Sequence, residues 1–306
     1  MVLQKVARQL HGSIIPSIWK IVLFMMLFSL AVTALYMRGA QTLNQPILAS
    51  LIPGVVLGLL LVFRTNTAYE RFWEGRKLVG GIIIGARQLS RQFSVTIPEK
   101  TRQDYEEKMT VNRLIIAFFV ATKLHLRQEP IDAQLTALVT PEQALELSQT
   151  NKMPLKIIQW INAYVVRWYH LKYIDSHILT TYNIILDQLV EKMAGCERIR
   201  HTPIPKAYST HLNHLLLLYC LVVPFQLVAT LNWWTPVAAG VISFTLIGIE
   251  AIGQEIENPF GQDPNDLPLD RMCNNLQQEI DELYHHRLAK FSEVSGSDLE
   301  DFSGVL

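Results

Sequence analysis

The sequence has few cysteines, no excess charge of either sign and no sustained alternation of apolar and polar residues. Its 306 residues include three cysteines, and 27 basic residues balance 27 acidic ones. Cys196, Cys220 and Cys273 lack metal-ligand spacing, so they predict reduced structural thiols rather than a disulfide framework. Balanced charge does not favour nucleic acid as a partner. The missing strand pattern predicts an all-α fold.

Signatures of common enzyme classes are also missing. The chain has no phosphate-binding glycine loop, dinucleotide fingerprint or serine, histidine and aspartate in triad order. Two histidine pairs, His211 with His214 and His285 with His286, lack a carboxylate partner at helical spacing and do not favour a metal enzyme. The sequence therefore predicts a protein that is not an enzyme and requires no cofactor. A non-conducting membrane protein, either a helical scaffold or a membrane enzyme, stays open as an alternative.

Apolar residues are abundant, with 50% of the chain hydrophobic and a mean hydropathy of +0.20. They concentrate in two pairs of runs, at 21–37 with 47–63 and at 215–231 with 234–252. The run at 47–63 is shorter than the roughly 20 residues that usually span a bilayer, and polar residues 65–67 extend it. Short links within each pair predict two antiparallel hairpins, and hence four transmembrane helices in an integral, multi-pass membrane protein.

The runs and the charges divide the chain into predicted segments. Basic residues precede the first run and follow the second, so the positive-inside rule places both termini and the large middle region in the cytoplasm. No transit peptide is evident, which favours a bacterial inner membrane or a photosynthetic membrane. The predicted segments are an interfacial helix at 1–20, a transmembrane hairpin with a pore helix at 21–63, a cytoplasmic helical region at 64–214, a second hairpin at 215–252, a cytoplasmic loop and helix at 253–291, and a mobile acidic tail at 292–306.

Three local features within the predicted cytoplasmic region concern single helices. The apolar stretch 111–121 is too short to span a bilayer and predicts a helix buried in protein. Thr140, followed by Pro141 and Gln143, predicts a capped helix start. Gly195 is expected to end the helix that begins near Ser176.

One stretch, residues 47–91, begins as a membrane-grade apolar run and becomes polar without a helix breaker. Val55, Leu59 and Phe63 recur every four residues, so they share one line along a helix, which Thr67 and Arg71 continue. An apolar face that turns polar is what a pore-lining helix should present. The same periodicity also fits ordinary packing against lipid or another helix.

The segment at 63–76, FRTNTAYERFWEGR, closely resembles the signature of the bestrophin family of pentameric anion channels. A second match is ENPFG at 257–261, followed by DPNDLPLD at 263–270, and a third, weaker match is IPKAY at 204–208. The three occur in family order, and the microbial and plastid branch fits best.

The resemblance implies a pentamer with one axial pore that passes chloride, with bicarbonate as a further candidate. It assigns the pore neck to Val55, Leu59 and Phe63, and a cytoplasmic aperture to Ile204. Stacked apolar rings of this kind can dewet and favour anions that shed water easily. A cation-permeable member is the alternative, if acids such as Glu70 and Glu74 line the vestibule. The residues expected to be pore-adjacent or intersubunit are Arg64, Thr65, Asn66, Thr67, Glu70, Arg71 and Glu74.

The acidic loop raises the question of calcium, because animal relatives bind calcium there through adjacent acids. In this chain Asp263 and Asp266 are separated by Pro264 and Asn265. Calcium usually takes about six to eight oxygen ligands, so two interrupted acids favour a proline-stiffened turn. Calcium is accordingly disfavoured as a cofactor.

Overall fold

The structure is a computed structural model, and it describes residues 12–45, 51–99 and 101–294. Every regular element within these ranges is helical, which confirms the predicted all-α fold. The α-helices are α1 (Ile15–Met37), α2 (Leu51–Thr96), α3 (Arg102–Arg127), α4 (Ala133–Leu138), α5 (Pro141–Ser148), α6 (Met153–His170), α7 (Ser176–His201), α8 (Lys206–Leu231), α9 (Thr235–Ile256) and α10 (Leu269–Val294). Short 3₁₀ helices occupy Gln41–Leu43 and Asn232–Trp234. Most of the predicted interfacial segment, the first residues of the predicted second span and most of the predicted tail lie outside the described residues.

The chain forms two compact units. The first unit comprises Met1–Arg76 and Ile199–Leu267, and the second comprises Lys77–Arg198 and Pro268–Leu306. Each unit joins segments that are distant in sequence. The helices α2 and α7 contribute residues to both units. The unbroken α2 agrees with the expectation that the apolar run and the polar signature share one helix.

Within the first unit, α1 packs against α8 and α9. A Cβ atom at Gly240 of α9 would lie 2.7 Å from the Met26 side chain of α1, so glycine permits the close approach of these helices. The rings of Phe28 and Phe225 meet edge to face with centroids 6.0 Å apart. Small residues and aromatic contacts therefore hold together the helices that contain three of the predicted spans.

Three stretches among the described residues are long and apolar enough to cross a membrane. Ile15–Met37 and Lys206–Ile256 contain the predicted runs at 21–37, 215–231 and 234–252. The remaining stretch, Arg102–Arg127, differs because 78% of its apolar window is buried inside the protein, compared with 28% for each of the others. Protein rather than lipid covers α3, so the prediction that residues 111–121 form a buried helix is confirmed.

Two helix ends test local predictions in the second unit. The Thr140 hydroxyl accepts a hydrogen bond from the Gln143 backbone, and the Gln143 side chain accepts one from the Thr140 backbone, which confirms the capping box. The predicted helix end at Gly195 is wrong, because α7 continues to His201. A Cβ atom at Gly195 would lie 2.9 Å from the Leu78 side chain. Glycine is therefore needed there for close packing and not for termination.

Lys123 is a buried charge within the second unit and is 4% exposed. Its ammonium donates to Asp132 (3.2 Å), Gln134 (3.3 Å) and Asp270 (3.1 Å). Arg127 adds a 2.8 Å ion pair to Asp270. Burial acts to raise the pKa of the Asp270 carboxyl, but its bonds from Arg127 and Lys123 hold that pKa below its ordinary value. Asp270 thus joins α10 to α3 as an ionised group.

The substitution Asp270→Asn should lower the stability of the second unit in a pH-dependent way. A carboxyl whose pKa is depressed by folding stabilises the protein above its unfolded pKa of about 4, and this stabilisation is lost as pH falls through the folded pKa. Because Asp270 is largely exposed, we expect a loss of about 1 kcal/mol between pH 5 and 8, vanishing at more acidic pH. Thermal unfolding of the purified protein between pH 3 and 8 measures this difference. The control Glu106→Gln removes an exposed pair within α3 and should have a smaller effect. A deficit as large at pH 3 as at pH 7 would contradict the prediction.

Candidate pore helix and its polar cluster

The predicted neck residues lie on an exposed face of α2. Val55, Leu59 and Phe63 are 69%, 53% and 56% exposed. The opposite face of the same helix is buried and contains Leu57, Leu61, Arg64 and Ala68. The first unit therefore holds α2 by one stripe and leaves the line of Val55, Leu59 and Phe63 exposed.

Contacts with α8 fix the rotation of α2. Leu57 and Leu61 form a buried apolar cluster with Leu212 and Leu216. The Tyr208 hydroxyl donates a 2.9 Å hydrogen bond to the Leu60 carbonyl. Apolar burial and this polar contact act on the same side of the helix, so the line from Val55 to Phe63 points away from α8.

Arg64 follows the neck line directly and turns into the protein. It is 1% exposed, its Nη2 lies 2.7 Å from Glu257 Oε2, and its Nε lies 3.5 Å from Glu250 Oε1. Both ion pairs lie within the chain because Arg64 belongs to the buried stripe. A buried guanidinium costs desolvation energy, which the two carboxylates offset.

Arg71 lies two turns further along α2 and binds backbone carbonyls. Its guanidinium donates to the carbonyl oxygens of Ile199 (2.6 Å), Thr202 (2.5 Å) and Glu257 (3.3 Å). The rigid fork of donors on arginine suits three acceptors in different directions. Burial lowers the pKa of Arg71, although the nearby Glu257 and Glu74 carboxylates act to raise it. Arg71 therefore fastens the end of α7 and the loop after it to α2.

Ile204, the candidate aperture residue, lies in that loop and is half-buried. Its backbone N–H donates a 2.8 Å hydrogen bond to Glu257 Oε1. Ile204 and Phe63 line one cleft of about 590 Å³. The remaining lining residues are Leu60, Arg64, Thr67, Arg71, Pro203, Pro205 and Tyr208. The fold thus brings the end of the neck line and the candidate aperture, which are far apart in sequence, to the same cleft.

The other signature residues occupy less enclosed positions. Thr65 is half-buried, and its hydroxyl donates to the Leu61 carbonyl (2.9 Å). Asn66, Thr67 and Glu70 are exposed, and Glu74 is half-buried. Asn66 and Glu70 are three and seven residues beyond Phe63, so they continue its face of the helix.

Two of the sequence motifs meet at Gly75, the penultimate residue of the signature. A Cβ atom there would lie 2.9 Å from the Pro259 ring and 3.1 Å from the buried Phe260 ring. Only glycine lets α2 approach the ENPFG loop this closely without displacing it. The signature glycine therefore has a packing role that its sequence context did not reveal.

Hydrogen bonds within the protein occupy several polar groups of the acidic loop. The Asn265 amide Nδ2 donates to the Gly12 carbonyl (2.9 Å) and to Glu255 Oε1 (2.8 Å), so an N–H donor satisfies two oxygens that a cation would otherwise bind. Asp266 Oδ2 accepts the Asp263 backbone N–H at 2.8 Å. No group of three or more histidine, cysteine or acidic side chains suited to a metal ion occurs in the part of the chain that the structure describes.

Glu250 and Glu257, whose carboxylates both bind Arg64, have no role predicted from sequence. Glu257 opens the second motif, but the motif does not show what its carboxylate binds. Glu250 carries a sequence signal, because an ionisable residue inside an apolar membrane run needs a partner and indicates a functional site. Its partner, Arg64, directly follows another predicted run, at 47–63.

Known proteins resemble this chain over most of its length. A family profile described as Bacterial/Fungal Bestrophin protein matches residues 2–282. A voltage-dependent anion channel-forming protein of Nostoc sp. is 51% identical over 279 residues, covering 91% of each chain. The protein of that name in Synechocystis sp. is 46% identical over 288 residues, covering 94% of this chain and 93% of the relative.

A solved structure agrees with the fold. The crystal structure of a bacterial bestrophin homolog from Klebsiella pneumoniae matches with a TM-score of 0.78 and 27% identity, covering 86% of this chain and 96% of that one. The profile match covers most of the chain, and both named relatives exceed 30% identity over about nine tenths of it. The chain therefore belongs to the bacterial and fungal bestrophin family, as the three motifs predicted.

Proposed function

We propose that this chain is a subunit of a homopentameric membrane channel that conducts small anions, chloride foremost, passively through a central pore lined by α2. The observation that carries the proposal is the exposed apolar line of Val55, Leu59 and Phe63 on a helix that is firmly anchored along its other face. Relatives of high identity are named as voltage-dependent anion channel-forming proteins. The spans would be α1, the first part of α2, α8 and α9, with both termini in the cytoplasm.

In a pentamer, the α2 helices of all five subunits together would surround the pore. Five copies around an axis turn the neck line into three stacked apolar rings, and a narrow ring of this kind excludes ions that hold their water tightly. Weakly hydrated anions lose less hydration free energy when they shed their water, so they pass such a ring more easily. The positive edges of the phenylalanine rings at position 63 also favour a passing anion.

Cation permeation is the second candidate, and one observation favours it. Glu70 is exposed and lies on the same face of α2 as Phe63. In a pentamer that face would bring several carboxylates near the axis on the cytoplasmic side of the neck. Rings of acidic side chains are typical of cation-selective pores.

We also propose that conduction requires no calcium. The Asn265 amide already bridges the Gly12 carbonyl and Glu255. A cation at this position would have to displace a neutral hydrogen-bonded side chain that supplies only one oxygen in return. Channel opening is therefore expected to be independent of calcium.

Recording from the purified protein in a lipid bilayer tests these proposals together. In a potassium chloride gradient with a calcium chelator present, the reversal potential should lie near the chloride equilibrium potential, and adding calcium should leave the current unchanged. A reversal potential near that of potassium supports the cation alternative. Absence of current above that of protein-free bilayers supports a non-conducting scaffold, and a symmetry count from cryo-electron images tests the pentamer.

A further inference from the structure

Glu257 joins the two proposed constrictions within one subunit. One carboxylate oxygen accepts a 2.7 Å hydrogen bond from the guanidinium of Arg64, the residue that follows Phe63. The other oxygen accepts the Ile204 backbone N–H at 2.8 Å. A single side chain thus bonds both to the cytoplasmic end of the neck line and to the residue proposed to form the aperture.

The loop that carries Ile204 has few backbone groups that can donate hydrogen bonds to the rest of the protein. Pro203 and Pro205 lack an N–H group, so Ile204 supplies the only backbone donor from 203 to 205. On the acceptor side, Arg71 binds the Thr202 carbonyl just before these residues and the Glu257 carbonyl. Glu257 therefore holds the loop through its backbone N–H group, and Arg71 holds it through a backbone carbonyl.

Burial strengthens the ion pair between Arg64 and Glu257. The Arg64 side chain is 1% exposed and that of Glu257 is 18% exposed, so water competes poorly for their ion pair. A charge-assisted hydrogen bond in such surroundings is stronger than a neutral one. A displacement of the loop at Ile204 would break a bond to a carboxylate that cannot readily find another partner.

We propose that Glu257 is a positioning residue that holds Ile204 at a fixed distance from α2 and so sets the size limit for anions at the cytoplasmic constriction. The proposal rests on the channel function proposed above. It assigns the selectivity for anion size to a carboxylate that does not itself face the permeating ion.

The test compares the permeability of propionate with that of chloride from reversal potentials under bi-ionic conditions. Glu257→Gln keeps the shape of the side chain, but Arg64 and Ile204 bond to different carboxylate oxygens, and the amide replaces one of these acceptors with an N–H donor. The propionate-to-chloride ratio should rise about twofold or more, as it should for Ile204→Ala, since either change widens the constriction. In the double variant the ratio should not exceed that of Ile204→Ala. The control Glu279→Gln removes an exposed ion pair with Arg87 in the second unit and should leave the ratio unchanged.

A second readout does not depend on conduction. In an Ile204→Cys variant, the new thiol should react with a charged maleimide faster when Glu257→Gln is also present, because the loop is released. Should Glu257→Gln fail to assemble, Glu257→Asp serves the same purpose, since it keeps the charge but is one methylene too short to hold both Arg64 and Ile204. Wild-type protein without anion current would reject the channel function, whereas the labelling rate would still report the hold on the loop. Unchanged labelling, or a ratio in the double variant that is the product of the single effects, would overturn the role of Glu257.

Discussion

Replacing Val55, Leu59 and Phe63 together by alanine should raise chloride flux into liposomes by about tenfold, which corresponds to a barrier lower by about 1.4 kcal/mol. Three large apolar side chains become small, so the neck widens and water fills it. The anchoring face of α2 is untouched, because Leu57 and Leu61 keep their contacts with α8. Stopped-flow measurement with a chloride-sensitive dye inside the liposomes gives the rate directly.

A matched control uses another exposed apolar face. Val237, Val241 and Phe244 on α9 have similar size, spacing and exposure, and nothing places them at a pore. Their joint replacement by alanine should leave chloride flux at the wild-type rate. An unchanged rate in the α2 variant would reject the neck, and equal increases in both variants would show that the protein merely leaks when exposed apolar side chains are removed.

The substitution Arg64→Ala should destabilise the folded subunit by about 3–5 kcal/mol, because it leaves the Glu250 and Glu257 carboxylates buried without their cation. Alanine also removes the packing of the long arginine stem beneath the neck. The thermal midpoint of the detergent-solubilised protein, followed by size-exclusion chromatography after heating, should fall sharply. Adding Glu250→Gln and Glu257→Gln should recover part of the loss, since no uncompensated charge then remains.

The control for Arg64 is an arginine–glutamate ion pair of similar distance that is exposed to solvent. Arg87 and Glu279 form a bidentate ion pair at 2.6 Å, with both side chains about half exposed. Exposed pairs contribute about 0–1 kcal/mol, so Arg87→Ala should shift the midpoint little. Equal shifts for Arg64→Ala and Arg87→Ala would show that burial of the first pair has no energetic consequence.

Features that depend on near neighbours in the chain could be predicted from the sequence. The capping box at Thr140 and the common face of Val55, Leu59 and Phe63 follow from the geometry of a single helix. The role of Gly195 could not be predicted, because a glycine that ends a helix and a glycine that admits Leu78 look the same in sequence. Hydropathy alone does not separate Arg102–Arg127 from the other candidate spans, since burial by protein and by lipid both select apolar residues, and the short apolar core at 111–121 was the signal that did.

The sequence by itself determined the helical fold, the family and the apolar line of α2, because each is written in local periodicity or in contiguous motifs. Only the tertiary structure decided that Arg64 turns inward and that Glu257 reaches both Arg64 and Ile204. The physical reason is that an ion pair depends on where two side chains meet in space. Arg64, Ile204 and Glu257 come from three separate stretches of the chain, and nothing local to any one of them specifies its partners.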